Sequence, residues 1–225
     1  MAAGGWFDWS TGDLVTEARF QDIQDSIAFI YASESAANTA LTNKVEGTQF
    51  YDTGQDKLKI WNGSAWVAVG TTLVADQWRL TSNITNTNGD ITANLERIDT
   101  APQGILGTGM SESSGIFTFP STGIWQVTVN AQIDASDNDN ALLVYTYGTT
   151  DNFSSEVILA NVRESNRGSS AGGNASGSSQ TLIDVTDTSN IKVKFATVSF
   201  GDDDSLIGSS TQNETTFTFI RLGDT

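Results

Sequence analysis

Apolar residues recur along this chain at different periods, and each period predicts a different element. Between residues 14 and 44, Phe20, Ile23, Ile27, Ile30, Ala37 and Leu41 recur at spacings of three and four, with Glu34 interrupting the series. That spacing predicts one face of a helix, and Thr11-Gly12-Asp13 offers it a cap. Ile at both kinds of seam position shifts parallel coiled coils towards three or four strands. Periodicity alone is met equally by an amphipathic helix lying on its own domain. The bundle is preferred because the flanking sequence offers little apolar surface for such a helix to cover. Ser33, Ser35, Ala36, Asn38 and Thr39 weaken the later turns, so the bundle is expected to loosen before Glu46.

From 47 to 70 the period changes. Lys57-Leu-Lys-Ile-Trp61, then Asn62-Gly63, then Ser64-Ala-Trp-Val-Ala-Val69 predicts a hairpin, because Asn-Gly accepts the positive φ angles of a tight turn. Trp61 and Trp66 supply much of its apolar area. Since an isolated hairpin is marginal in water, it needs cover from its own copies or from the helix.

Beyond residue 76 the chain alternates. Strands are predicted near 78–84, 91–94, 115–119, 124–134, 141–147, 156–162, 180–185, 191–199 and 215–222, with turn clusters between them. Such spacing argues for a mainly β sandwich or jelly roll and against βαβ units. The predicted organisation is 1–46 as an N-terminal anchor and trimerising helix, 47–75 as a β-hairpin neck, and 76–225 as a jelly-roll head.

Composition narrows the chemistry. The 225 residues carry 11 Lys plus Arg against 27 Asp plus Glu, a net charge of −16. That balance opposes binding to a phosphate backbone, so no nucleic-acid partner is expected. With no Cys, disulfides, thiolate zinc sites and cysteine nucleophiles are excluded, and with no His the Ser-His-Asp triad goes too. No apolar run approaches the length of a membrane span, so no membrane insertion is expected. Residues 1–6 lack the basic and apolar regions of a secretory signal.

One stretch resembles a known signature. Gly115-Ile-Phe117-Thr-Phe119-Pro120-Ser-Thr-Gly123-Ile-Trp125-Gln-Val127 is similar to the pattern of the complement globular-head and tumour-necrosis-factor-like jelly rolls, with Trp125 where that family usually has Tyr. The terminal run 215–222 resembles the family's last strand. Independently of any family, Pro120 cannot extend a ladder and Gly123 accepts a turn, so Phe119 closes one strand and Trp125 opens the next towards the core. The resemblance implies a homotrimer. The N-terminal half is similar to bacteriophage fibre proteins, in which a short stalk carrying a phrase like Lys59-Ile-Trp-Asn-Gly-Ser-Ala-Trp66 precedes a trimeric head. This implies a virion protein assembled in the host cytoplasm.

Each candidate site has a plain alternative. The acidic runs 134–140 and 201–205 hold oxygen ligands of the kind calcium takes, but solvated turns explain them better, and no metal or cofactor is expected. A glycan-cleaving carboxylate pair has no recognisable motif, so no enzyme is expected. The run 163–179 reads as a flexible loop, with Tyr145, Tyr147 or Phe153 as rigid contacts if it meets a sugar or protein surface. Trp6, Phe7 and Trp9 either dock the assembly onto larger virion proteins or fold back over the first helical turns. The N-x-Ser/Thr sequences at Asn62, Asn83, Asn152, Asn174 and Asn213 are chance matches in so Asn-, Ser- and Thr-rich a chain. The expectation is a homotrimeric virion structural protein, a phage tail or baseplate fibre whose head attaches to a host-surface glycan or protein. A capsid decoration or head fibre is the alternative, and a glycan depolymerase the poorer third.

Overall fold

The computed structural model describes residues 29–70, 73–135, 141–165, 173–201 and 203–225, and the chain separates into two compact units, Met1–Gly70 and Thr71–Thr225. In the first unit, strand β1 (Phe29–Tyr31) runs parallel to β2 (Gln49–Asp52). Strands β3 (Lys57–Trp61) and β4 (Trp66–Ala68) follow antiparallel, giving the order β1-β2-β3-β4. One short helix, α1 (Glu34–Ala40), lies between β1 and β2, with the Ser33 hydroxyl accepting the Ala36 N–H as its cap.

The continuous helix expected over 14–44 is therefore corrected where it is described. Phe29–Tyr31 pairs as a strand, and the helix is limited to seven residues, Glu34–Ala40, capped by Leu41. Ile30 stands 70% exposed on β1, whereas Ala37 is fully buried beside Phe50 and Trp66, and Leu41 packs against the same cluster. These three residues do not share one helix face, because pairing with β2 satisfies the backbone of residues 29–31 in an extended form. Phe20, Ile23 and Ile27, together with Trp6, Phe7 and Trp9, lie outside the described residues.

The hairpin turn also differs from a two-residue Asn-Gly turn. The N–H of Asn62 donates to the carbonyl of Ala65, and the Asn62 side chain accepts the N–H groups of Ser64 and Ala65. An Asn side chain that mimics a backbone turn makes the longer loop competitive. Trp61 and Trp66 are direct cross-strand partners, packed edge-on at 5.4 Å, and Trp66 meets Phe50 at 4.6 Å.

This small core encloses an ion pair. The Lys59 ammonium, buried, lies 3.1 Å from the buried Asp52 carboxylate and also bonds Glu34. Burial works against ionised Asp52, but Lys59 and the N–H groups of Gln55 and Gly54 outweigh it and hold its pKa below 3.8. Burial likewise works against charged Lys59, and its bonds to Glu34 and Asp52 outweigh that, raising its pKa above 10.5. A depressed carboxylate pKa adds stability that is lost as pH falls through the folded value; a raised lysine pKa adds stability lost as pH rises through its own. The pair therefore stabilises the unit most between pH 3.8 and pH 10.5. Hydrogen exchange of the Gln49–Trp61 amides should show protection falling below that window in the native chain. In Lys59→Met the acid-induced loss should shrink, because the cation that favours the ionised carboxylate is gone while the Gln55 and Gly54 N–H groups remain.

The second unit is a two-sheet β sandwich. Its early strands are β5 (Val74–Leu80), β6 (Ile84–Thr85), β7 (Gly89–Asp90), β8 (Leu95–Arg97), β9 (Ser111–Ser113) and β10 (Ile116–Thr118). The long strands are β11 (Gly123–Ala135), β12 (Leu142–Thr149), β13 (Val157–Glu164), β14 (Gly173–Val185), β15 (Lys192–Val198) and β17 (Thr216–Gly223), with a short β16 (Ser205–Leu206). One sheet runs β13-β12-β15-β10-β9, with β7 on β15; the other runs β14-β11-β17-β5-β8, with β16 and β6 continuing beside the end of β11.

Alternation supplies the core. On β11, Trp125, Val127, Val129, Ala131 and Ile133 are buried, while Gln126, Thr128, Asn130 and Gln132 face outward. Phe117 sits amid aromatic rings, 5.3 Å from Trp78, 5.5 Å from Phe195 and 5.0 Å from Phe219, and Phe195 stacks on Phe217 at 4.3 Å. Phe119 follows β10 and packs 5.2 Å from Trp125, whose indole N–H donates to the Ser121 carbonyl just beyond Pro120.

Two expectations fail in this unit. Residues 91–94 are not a strand: Ile91 is buried and its N–H donates to the Phe195 carbonyl, but Asn94 takes a positive φ of 60° and strand pairing resumes at Leu95. The flexible loop expected over 163–179 is a strand from Gly173 onward, paired with β11 along its whole length. Small residues are needed there because β13 presses against it. A Cβ on Gly177 would lie 2.4 Å from Glu164 Oε1 and 2.6 Å from Val162 Cγ1.

Candidate interaction surfaces

The two outer faces of the sandwich differ in charge. Across β5, β17, β11 and β14, the register places Gln77, Thr218, Thr128 and Gln180 in one row. The row on one side holds Ala75, Ile220, Gln126 and Leu182; that on the other holds Arg79, Thr216, Asn130 and Ser178. Side-chain bonds tie these rows together: Gln77 donates to Thr218 at 2.8 Å, Gln126 to Gln180 at 3.3 Å, and Asn130 to Thr216 at 3.3 Å. Arg79, at the margin, is 2% exposed and paired with Glu96. In a chain of net charge −16, this is a broad face of neutral amides and hydroxyls.

The opposite outer face is charged. Lys194 is held between Asp90 at 2.8 Å and Glu156 at 2.6 Å and lies over the rings of Phe153 and Tyr147. Burial foremost opposes its charge, yet the two carboxylates prevail and its pKa is raised. Tyr145 and Tyr147 pack edge-on at 5.7 Å on this face, so they belong to a charged surface and stand on the sheet opposite the one containing the Gly173–Ser179 segment.

Between the faces, β13 and β14 lie against each other without hydrogen-bonded pairing. Among the described residues, each of β13 and β14 is the terminal strand of its sheet, paired on one flank. Unpaired edges present rows of N–H and C=O groups that another chain can use. Val157, Ile158 and Leu182, 60%, 52% and 63% exposed, are carried on these two strands. A cleft of about 200 Å³ opens here, floored by Leu159, Ile183 and Ile191 and rimmed by Thr149, Glu156, Asp184 and Lys192. Its rim is braced by the turn at Asp151. That carboxylate accepts from the Ser155 hydroxyl and N–H and the Thr149 hydroxyl, which bring its pKa down to about 2.

The remaining candidates are dispersed. Asp204 is buried and accepts the Gly201 N–H, closing its own loop; Asp134 is exposed at the end of β11. Among the described residues, no group of three or more His, Cys, Asp or Glu gathers as a metal site, and no helix is long and apolar enough to cross a membrane. Gly115, Phe117, Phe119, Pro120, Gly123, Trp125 and Val127 form one continuous piece of the core, from the β9–β10 turn into β11. A buried network missed from sequence lies nearby: Asp76 accepts from the Trp78 indole at 3.0 Å, the Met110 N–H at 2.8 Å and Arg97 at 3.0 Å. An acidic residue alternating with apolar ones on β5 was its one signal.

Strand order, register and the aromatic core define the second unit as a jelly roll of the tumour-necrosis-factor type. The chain is similar to the Eiger TNF structure from S. frugiperda, at 13% identity over 68% of this chain and 95% of that one, with a TM-score of 0.51. Murine APRIL gives 10% identity over 67% of this chain and 99% of that one, with a TM-score of 0.44. No protein-family model and no curated protein matches. At such identities the likeness is one of fold.

Proposed function

We propose that the chain is a homotrimeric structural protein of a virus particle, a bacteriophage tail or baseplate fibre. Its jelly-roll head projects outward to attach to a host-surface glycan or protein, its N-terminal region joins larger virion proteins, and it acts by binding without chemical turnover. One observation carries the self-association: a broad face of neutral side chains across β5, β17, β11 and β14 occurs in an otherwise strongly acidic chain. Copies that each carry −16 repel, so contact is cheapest through the central rows of this face, which hold no carboxylate. Three copies also multiply a weak head contact through avidity. The Lys59–Trp66 phrase and the separate small β unit ahead of the head support the virion reading.

Light scattering at micromolar concentration should give three times the single-chain mass of 24.0 kDa. Thr128→Glu, which places a carboxylate mid-face, should return single chains with an unchanged far-ultraviolet circular dichroism spectrum. A native chain that runs at single-chain mass overturns the trimer. Copy number in purified particles tests the location: a few trimers per particle support the fibre, whereas counts that follow the capsid lattice make it a head decoration. Release of reducing ends from host glycan would make it a depolymerase instead.

A further inference from the structure

The chain contains two Asn-Gly pairs, Asn62-Gly63 and Asn88-Gly89, and the fold holds their carboxamides in opposite ways. In this dipeptide the glycine nitrogen attacks the preceding side chain readily, because glycine has no Cβ to obstruct the approach. Both sites start from the same chemistry, so any difference in reactivity comes from tertiary structure. Asn88 is pinned. Its amide nitrogen donates to the Phe200 carbonyl at 2.7 Å, and its side-chain oxygen accepts the Phe200 N–H at 2.8 Å. Both ends of the carboxamide are thus tied to a residue 112 positions further along the chain, and Gly89 itself is paired with Thr197 on β15.

Asn62 is folded over its own turn. Its side-chain oxygen accepts the N–H of Ser64 at 3.0 Å and that of Ala65 at 2.8 Å. The ring closed by the Ser64 bond runs through Cγ of Asn62 and the nitrogen of Gly63, so the carbon to be attacked and the attacking atom stay on one small loop. Two N–H groups on the carbonyl oxygen also polarise Cγ, and they stand where negative charge develops as the nitrogen adds. Asn62, Gly63, Ser64 and Ala65 are all exposed, and no atom lies within 4 Å of the place a Cβ on Gly63 would take. A departing ammonia therefore passes straight into solvent.

We infer that Asn62 is a site of spontaneous self-modification, selected by the fold over Asn88. The Gly63 nitrogen bonds to Cγ of Asn62, the Cγ–Nδ2 bond breaks, and the side-chain nitrogen leaves as ammonia with the proton that Gly63 gives up. The succinimide ring that remains is opened by water at either of its carbonyls, giving aspartate or isoaspartate. Water is the only co-reactant. Aspartate keeps an acceptor oxygen for the Ser64 and Ala65 N–H groups and adds a negative charge. Isoaspartate lengthens the backbone of the turn by one carbon and so disturbs the cross-strand pairing of Trp61 with Trp66. None of this depends on the homotrimer or the virion reading.

The experiment compares the two sites within one full-length chain, folded in buffer and unfolded in guanidinium chloride at the same pH. After incubation, digestion in mild acid and mass spectrometry give the rate of amide-to-acid conversion at Asn62 and at Asn88. Folded Asn62 should react at or above its unfolded rate. Asn88 must break two hydrogen bonds of ordinary net strength before it turns, so its folded rate should fall about tenfold or more below its unfolded rate. Asn62 reacting more slowly folded than unfolded overturns the inference, because the turn then shields the carboxamide. A folded Asn88 rate within that margin of its unfolded rate also overturns it, because the dipeptide alone then sets the reactivity. The product at Asn62 should contain both aspartate and isoaspartate. Aspartate alone means direct hydrolysis and overturns the succinimide route.

Discussion

Phe117→Ala is expected to lower the unfolding free energy of the jelly roll by about 3–5 kcal/mol, read as a fall in the urea midpoint at fixed chain concentration. Phe117 is fully buried and touches rings from both sheets: Trp78 of β5, Phe195 of β15, and Phe217 and Phe219 of β17. Its loss removes transfer free energy and leaves a cavity that the neighbouring rings can close only by abandoning their edge-on contacts. Phe117→Leu fills more of the same space and should cost less. Equal midpoints for the alanine variant and the native chain would show that Phe117 does not anchor the two sheets to each other.

Gly115→Ala should be nearly as damaging, although it adds one methyl group. Ser114 and Gly115 form the two-residue turn between β9 and β10 with φ angles of 52° and 84°, as a type I′ turn requires. A Cβ on Gly115 would also lie 2.2 Å from the carbonyl oxygen of Ile91, which is backbone and cannot swing aside. The left-handed backbone costs about 1–3 kcal/mol for a residue other than glycine, and the overlap adds about 1–3 kcal/mol. Chemical denaturation should show a loss comparable with that of Phe117→Ala, and Ser114→Ala, next to it, should change far less. A Gly115→Ala chain as stable as the native one would mean that the Ile91 segment yields.

Both variants fall within Gly115–Val127, the stretch whose residue types could be read most directly. Gly, Pro and buried aromatics act through local rules: a turn that needs φ above zero, a ring with no backbone N–H, an alternation of period two. The short helix escaped those rules. Phe20, Ile23, Ile27, Ile30, Ala37 and Leu41 share a helical spacing in the sequence, but Ile30 gains more from pairing with Tyr51 on β2 than from a helical turn. Tertiary pairing overrode a local period.

The candidate surfaces were less legible still. Gln77, Thr128, Gln180 and Thr218 occupy one row, yet the pairs that bring them together span as many as 141 residues of chain. No window of sequence contains that row. The cleft floor likewise gathers Leu159, Ile183 and Ile191 from strands β13 and β14 and from the approach to β15. The neutrality of the face is a property of register, and register comes from which strand lies beside which.

By itself, the sequence determined that this is a mainly β chain with a sandwiched aromatic core, strongly acidic, and without thiol or imidazole chemistry. Those features follow from composition and from alternation between neighbouring positions, and both survive without knowledge of the partner strand. Only the tertiary structure decided that the Gly- and Ser-rich run 173–179 is a strand, that Ile30 sits exposed on a strand paired with β2, and that the neutral side chains of four distant strands form one surface. The physical reason is that a strand's backbone bonds and one of its two faces are completed by residues far away in the chain. Small polar residues with weak local preference therefore take whatever conformation those distant partners stabilise.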